Sequence, residues 1–170
     1  TEFYMQNPNL YEDVRRRELS EFRNLLTRFL LVISNVKRIE CYDVAHLGGT
    51  NTTASMATFI NGEAEKTLYR HFRIRQKKGN SDIDSLKEVI KRRLNHFKDW
   101  GRPNLIIVDG GVSQVRAFTN IIYIMKANIP VVGINTWKFK KEGHKKIPMI
   151  YVNTPKAAVE IAIREARKRD

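Results

Sequence analysis

Residues 38–46, Arg38-Ile39-Glu40-Cys41-Tyr42-Asp43-Val44-Ala45-His46, place Ile39, Cys41 and Asp43 on alternate positions. A period of two over nine residues predicts a strand that ends in polar groups. The chain after it keeps that character. Leu47 to Asn51 is a glycine-containing turn, Thr53 to Ile60 is β-branched and apolar, and Asn61-Gly62 is the strongest short hairpin signal. Leu68 to Ile74 (LYRHFRI) reads as a third strand. Three consecutive antiparallel strands are therefore expected.

Further on, the period becomes helical. Ser81 is a good N-cap, with Asp82 and Asp84 in the first turn, where the helix dipole favours negative charge. That helix should run to about Lys98, with Gly101 and Pro103 stopping it. Asn104 to Val108 (NLIIV) is an unbroken apolar run, suited to a strand buried on both faces, and it ends in Asp109-Gly110-Gly111. A helix from Ser113 to Lys126, a strand from Pro130 to Ile134 and a basic hairpin tip at Phe139 to Gly143 follow. Ile147 to Val152 returns from that tip, and Pro155 opens a closing helix over Lys156 to Asp170. Upstream, Val14, Leu19, Phe22, Leu25, Leu26 and Phe29 recur at helical spacing between Tyr11 and Val32, after a turn-like Gln6 to Asn9.

This order predicts an α/β fold. Its mixed five-stranded sheet has three antiparallel strands, then parallel ones joined by right-handed crossovers, flanked by helices after one leading helix. That is the RNase H-like order. It divides the chain into a leading helix and linker (1–36) and one domain (37–170). The chain opens on Thr1 and its last residues read as mid-helix, so both ends are expected to be cut from a longer protein.

Of the 170 residues, 31 are Lys or Arg and 18 are Asp or Glu, a net charge of +13. Such a surplus favours a polyanionic partner, nucleic acid first and an anionic membrane surface second. No apolar run approaches a membrane span and no signal peptide is visible, which excludes a helical membrane anchor within this sequence. Cys41 is the single cysteine; it suits a reducing cytoplasm and reads as a small core hydrophobe rather than a nucleophile.

Asp43 ends the first strand and Asp109 the fourth, 66 residues apart. In this sheet order those strands are neighbours, so the two carboxylates should converge. They repel unless a cation lies between them, and hard ions such as Mg²⁺ or Mn²⁺ prefer oxygen ligands. Such an ion activates water and stabilises charge on a phosphate oxygen. The other reading of each Asp is a turn cap, and Asp109-Gly110-Gly111 fits a turn well.

At these positions the chain resembles the C-terminal endonuclease domain of the bacterial excinuclease subunit UvrC. Residues 38–46 (RIECYDVAH) are similar to the family motif RIECFDISH, and Gly49-Thr50-Asn51-Thr52 with Ala54-Ser55-Met56 to GTxxVASMV. Tyr69-Arg70 with Phe72-Arg73-Ile74 match YRxFxI, and residues 82–93 (DIDSLKEVIKRR) resemble DYxSMxEVLxRR. Residues 103–114 (PNLIIVDGGVSQ) match PDLILIDGGKGQ, and residues 129–133 (IPVVG) match IPVIG. Six motifs stand in register over about Lys37 to Ile134.

The resemblance implies a metal-dependent endonuclease that nicks one DNA strand on the 5′ side of a lesion. It implies nucleotide excision repair of DNA damage, within the SOS response, on a UvrB–DNA complex. Asp43 and Asp109 match the family's two metal-binding Asp, and Asp82 matches a further acid, with a helix N-terminal charge as its other reading. His46 matches a first-strand His that is either supporting or structural, and Gln114 either binds a phosphate or orients the strand end. The family's catalytic His lies on the final helix in RDEAHRF. One alignment sets Arg169-Asp170 on its RD, with the His past the end of this chain; the other replaces the His with Arg167. The Lys of DGGKGQ is Val112 here, and the Lys after the fifth strand is Thr136, with Lys138 close by.

Lys77, Lys78, Arg92, Arg93, Arg116, Lys138, Lys140 and Lys141 flank the site in sequence and are the candidate phosphate contacts. For Arg92 and Arg93 a solvated helix face is the other reading. Three rivals stand beside the nuclease: a non-catalytic DNA-binding module of the same fold, another RNase H-like enzyme such as a ribonuclease H, resolvase or transposase, and a basic protein-interaction domain.

Overall fold

The computed structural model describes residues 2–28, 35–47, 51–75, 81–138, 146–154 and 157–162; side chains at 2, 4, 45–47, 51–52, 82 and 135–162 fall outside the description. Two helices lead, α1 (Glu2–Gln6) and α2 (Pro8–Arg28). The strands β1 (Arg38–Leu47) and β2 (Asn51–Ile60) pair antiparallel along their whole lengths, from Arg38↔Ile60 to Leu47↔Asn51. Asn61 (φ 51°) and Gly62 (φ 82°) make the expected tight turn.

The third antiparallel strand is interrupted. Both β3 (Glu63–Ala64) and β4 (Arg70–Arg73) lie on the outer edge of β2, separated by a 3₁₀ turn at Lys66–Leu68. The crossover helix α3 (Asp82–Leu94) is capped by Ser81, whose Oγ accepts the Asp84 N–H at 3.3 Å. It ends at Leu94 rather than near Lys98, and a separate turn, α4 (Phe97–Trp100), precedes Gly101 at φ 76°. Then come β5 (Leu105–Asp109), α5 (Val112–Ile124), β6 (Val131–Lys138), β7 (Lys146–Thr154) and β8 (Ala157–Ala162).

Among the described residues the strand order is β3-β2-β1-β5-β6-β7-β8, with β4 also on β2. The β1–β5 and β5–β6 pairs are parallel, the others antiparallel. This is the expected mixed sheet, wider than five strands because the β6–β7 hairpin and β8 extend it. The closing helix is not seen over Ala157–Ala162: Val159 and Ile161, β-branched and two apart, pair there with Val152 and Ile150 of β7. Residues 163–170 lie outside the described set.

The sheet has two differently covered faces. Tyr42, Ala54, Met56, Phe72, Ile106 and Val108 pack under α3 and α5, with Val89, Ile90 and Phe118 at the centre. On the other face Ile39, Leu105 and Val132 pack against Leu26 of α2, with Leu19, Phe22 and Leu25 around them. Alternation along a strand explains the division: even-numbered residues of β1 face α3 and α5, odd-numbered ones face α2.

One ionic cluster interrupts the apolar interior. Glu40 and Arg93 are both wholly buried. Arg93 Nε donates to Glu40 Oε2 at 2.9 Å and Nη2 donates to Glu40 Oε1 at 2.6 Å. Nη2 also donates to the Gly101 carbonyl, Arg38 Nε donates to Glu40 Oε1, and Tyr42 Oη donates to Glu40 Oε2 at 2.8 Å. The cluster clamps β1 to α3. It also corrects one sequence expectation: Arg93 is enclosed beside Glu40, over the rings of Phe97 and Trp100, and cannot face DNA. Burial, and then the neighbouring Glu40, push the Tyr42 phenol well above its ordinary range.

Candidate metal and nucleic-acid site

The parallel β1–β5 ladder runs from Ile39↔Leu105 to Tyr42↔Val108. Asp43 and Asp109 stand one step beyond that last pair, at matching positions on neighbouring strands. Adjacent strands are about 4.8 Å apart, so the two backbones hold the carboxylates side by side. Tyr42 and Val108 point under α3 and α5, so the residues after them point to the α2 side of the sheet. Both Asp side chains are exposed, and both line one cleft of about 380 Å³ with Cys41, Ser55, Ile107 and Ile134. The convergence expected from strand order is present.

The α2 helix leaves this cleft open because its apolar stripe covers only the first halves of the parallel strands. Leu26 reaches Ile39, Leu105 and Val132; the rows holding Asp43 and Asp109 lie further along. Within the cleft, Cys41 is no nucleophile at neutral pH: burial, aided by Glu40, pushes its thiol up to about 11.

Register extends the row of acids across the sheet. Asp43 pairs with Ser55 of β2, and Ser55 pairs with His71 of β4. Ser55 Oγ and His71 Nδ1 are 3.2 Å apart. On the other side Asp109 pairs with Ile134 of β6. The order across one face is thus Ile134, Asp109, Asp43, Ser55, His71. Ser55 and His71 were not singled out in the sequence; the signal was their alternation with Ala54 and Phe72, which face the core.

Asp109 leads into Gly110 (φ 156°) and the N-terminus of α5. The Gly111 N–H donates to Gln114 Oε1 at 3.0 Å, so Gln114 orients the turn that carries Asp109. A Cβ on Gly110 would lie 2.6 Å from Gln114 Cγ, which is why the turn needs glycine there. Arg116 is exposed on α5. Arg92 is half-buried: it donates to the Arg73 carbonyl at 2.8 Å, pairs with Glu88 at 3.3 Å and lies over the Phe72 ring. It is tied into the fold more than the sequence implied.

The backbone of Asp82 begins α3, and those of His46 and Lys138 lie in β1 and β6, but their side chains are outside the described residues, as are Lys77, Lys78, Lys140 and Lys141 entirely. Among the described residues no group of three or more His, Cys, Asp or Glu is placed to hold a metal. Two carboxylates suffice for Mg²⁺, which commonly takes one or two from protein and completes its shell with water and phosphate oxygens. The paired, exposed acids fit such an ion.

A family profile described as the UvrC RNAse H endonuclease domain matches residues 28–168. The chain belongs to that family. The UvrABC system protein C of Syntrophomonas wolfei subsp. wolfei is 39% identical over 132 residues, covering 74% of this chain and 22% of that protein. That of Caldicellulosiruptor saccharolyticus is 33% identical over 151 residues, covering 88% of this chain and 24% of that protein. The chain thus spans about a quarter or less of the relatives it matches. Among solved structures, endonuclease V of Ciona intestinalis, in complex with a 23mer DNA containing an inosine, superposes with a TM-score of 0.47 at 11% identity, over 76% of this chain and 71% of that one. In this UvrC-type domain no described helix is long and apolar enough to cross a membrane.

Proposed function

We propose that this UvrC-type domain is a divalent-metal-dependent endodeoxyribonuclease that hydrolyses a phosphodiester on the 5′ side of a lesion in nucleotide excision repair. The observation that carries the reading is the placement of Asp43 and Asp109 at matching positions of parallel neighbours, exposed in one cleft on a domain of net charge +13. Membership of the UvrC family supports it. Residues 37–170 form the endonuclease domain and 1–36 its leading helix and linker, acting in the cytoplasm on DNA bound by UvrB.

Asp43 and Asp109 would hold Mg²⁺ or Mn²⁺ between them, and Asp82, at the start of α3, is the further acid of the set. When bound, such an ion lowers the pKa of water and offsets charge developing on the phosphate. The chain's own groups do the positioning. Gln114 fixes the turn after Asp109, so the carboxylate keeps its direction. Ser55 and His71 extend a donor-bearing edge beside Asp43, suited to a phosphate oxygen of the strand being cut. His46, on β1 three residues after Asp43, is a supporting residue of the site. Arg116, Lys138, Lys77, Lys78, Lys140 and Lys141 contact phosphates without reading bases.

The test is nicking of a lesion-bearing duplex, loaded with UvrB, by the parent protein in Mg²⁺ or Mn²⁺. The expected result is a 5′-side nick lost in EDTA and lowered about a hundredfold or more by Asp43→Asn or Asp109→Asn. DNA binding with no cleavage, or cleavage unchanged in either variant, refutes the reading.

A further inference from the structure

A second cleft, of about 430 Å³, opens far from the acids along β1. Three separate segments build it. Arg16 and Arg23 come from one α2 face, about two turns apart with Ser20 between them, Lys37 from the residue before β1, and Asn61 from the turn after β2. The backbone locks these together: Asn61 N–H donates to the Lys37 carbonyl at 2.8 Å, and Lys37 N–H donates to Asn35 Oδ1 at 2.6 Å. Leu19 seals the floor against Gly62, where even a Cβ would come within 3.3 Å. The backbone positions that carry the cations are thus fixed by the fold.

The lining carries cations and hydrogen-bond donors and no carboxylate. Arg16 has a loose exposed contact with Asp13 at 3.6 Å; among the described residues neither Arg23 nor Lys37 has an acidic partner within ion-pair distance. Three cations that line one cleft with an amide and the Ser20 hydroxyl match a phosphate, which arginine binds as a planar fork.

We propose that this cleft is a second phosphate-binding site, gripping the DNA backbone at a set distance from the acid pair. It rests on the reading of Asp43 and Asp109 as a centre that acts on DNA. Lys37 and Asp43 are six residues apart on an extended chain, about 20 Å at 3.3 Å per residue. One DNA strand advances about 3.4 Å per nucleotide, so the grip falls about six nucleotides from the reacting phosphate.

Fluorescence anisotropy of labelled duplex DNA, in EDTA and across a salt series, tests this on the protein and its Arg16→Gln/Arg23→Gln/Lys37→Gln variant. Each phosphate contact contributes about 0.9 to the slope of log K against log salt. The variant should lose about two to three from the slope and tenfold or more in affinity at low salt. All three side chains are exposed, so its melting temperature should match the wild type; Arg23→Glu alone should lower affinity in the same direction. On a lesion-bearing duplex loaded with UvrB, trimming to fewer than about six nucleotides on each side of the incised phosphate in turn should weaken the wild type on one side only, and leave the variant indifferent. An unchanged slope overturns the proposal. So does a site that shifts with inorganic phosphate in an NMR titration while the DNA slope stays, which marks a free-anion pocket, or a variant that binds DNA normally yet fails to join UvrB–DNA, which marks a protein contact. Cleavage by Asp43→Asn/Asp109→Asn, measured alongside in Mg²⁺, reports on the nuclease reading separately: cutting that persists refutes that reading, while the slope lost in the Arg16→Gln/Arg23→Gln/Lys37→Gln variant still supports this cleft.

Discussion

Replacing Arg93 by Leu removes a guanidinium that donates three hydrogen bonds from a wholly buried position, two to Glu40 and one to the Gly101 carbonyl. Glu40 then keeps Arg38 Nε at 2.9 Å and Tyr42 Oη at 2.8 Å. The reverse change, Glu40→Leu, leaves Arg93 buried with only the Gly101 carbonyl and the faces of Phe97 and Trp100. Breaking a buried pair from one side costs about 3–5 kcal/mol. Arg93→Leu belongs at the lower end, since Glu40 retains two partners, and Glu40→Leu at the upper. In the double variant no charge is stranded between the two sites, so its cost falls below the sum of the singles by about 2 kcal/mol or more. At roughly 2–4 °C per kcal/mol for a domain of this size, Arg93→Leu should lower Tm by about 6–12 °C and Glu40→Leu by up to about 20 °C. Circular dichroism melts and urea titrations at pH 7 measure both. Additive singles, or an Arg93→Leu that melts with the wild type, refute the reasoning. So does a folded Arg93→Leu that loses about one from the DNA salt slope, which would return the residue to the binding face.

His71→Ala removes the outer member of the row beside Asp43; cleavage should fall about tenfold or more through loss of one hydrogen bond to a charged phosphate, with Mn²⁺ binding by electron paramagnetic resonance unchanged. A parallel loss of Mn²⁺ binding would contradict that placement. Cys41 should resist alkylation at pH 8, with a rate that climbs toward about pH 11 rather than levelling above its ordinary 9.0. The folded state holds that proton more tightly, so between about 9 and 11 the unfolded chain binds fewer protons and stability falls as pH rises; a urea midpoint flat across that window would rule this out. Gly110→Ala sets a Cβ against Gln114 and should break its bond to Gly111, costing about 1 kcal/mol and lowering cleavage; wild-type stability and rate together would show that the turn adapts freely.

The strands and their order were legible because each carries a local signal. Alternation marks β1, the Asn61-Gly62 pair marks the β2 turn, and the run from Leu105 to Val108 marks a strand covered on both faces. The convergence of Asp43 and Asp109 followed from order alone, as parallel neighbours in one sheet. What was not legible depends on register and on charges inside the core. Ser55 and His71 join the row only once β2 is matched to β1 and β4 residue by residue. Arg93 falls at helical spacing with Leu86, Val89 and Ile90, on the face that packs inward, but its charge reads as a solvated position until Glu40 is set beside it. Glu40 likewise sits at an even position of β1, with Tyr42, on the face under α3. Opposite charges on two inward faces imply each other. Val159 and Ile161 are two apart in an Ala-rich stretch that periodicity alone reads as helix, and only pairing with β7 decides for strand.

Position along the strands, more than residue type, separates stability from chemistry on the α2 face. Moving two residues at a time up β1 and β5, the side chains pass from Ile39 and Leu105 under Leu26, through Cys41 and Ile107 at the edge of that cover, to Asp43 and Asp109 in the open. The same helix that supplies the cover presents Arg16 and Arg23 to the second cleft at the opposite end of β1. A like-charged pair is tolerable at an open rim because water screens it, whereas under α2 it would need a buried counterion of the kind Glu40 has in Arg93. The length of the α2 apolar stripe therefore sets where the sheet stops being core and opens into the cleft lined by Asp43 and Asp109.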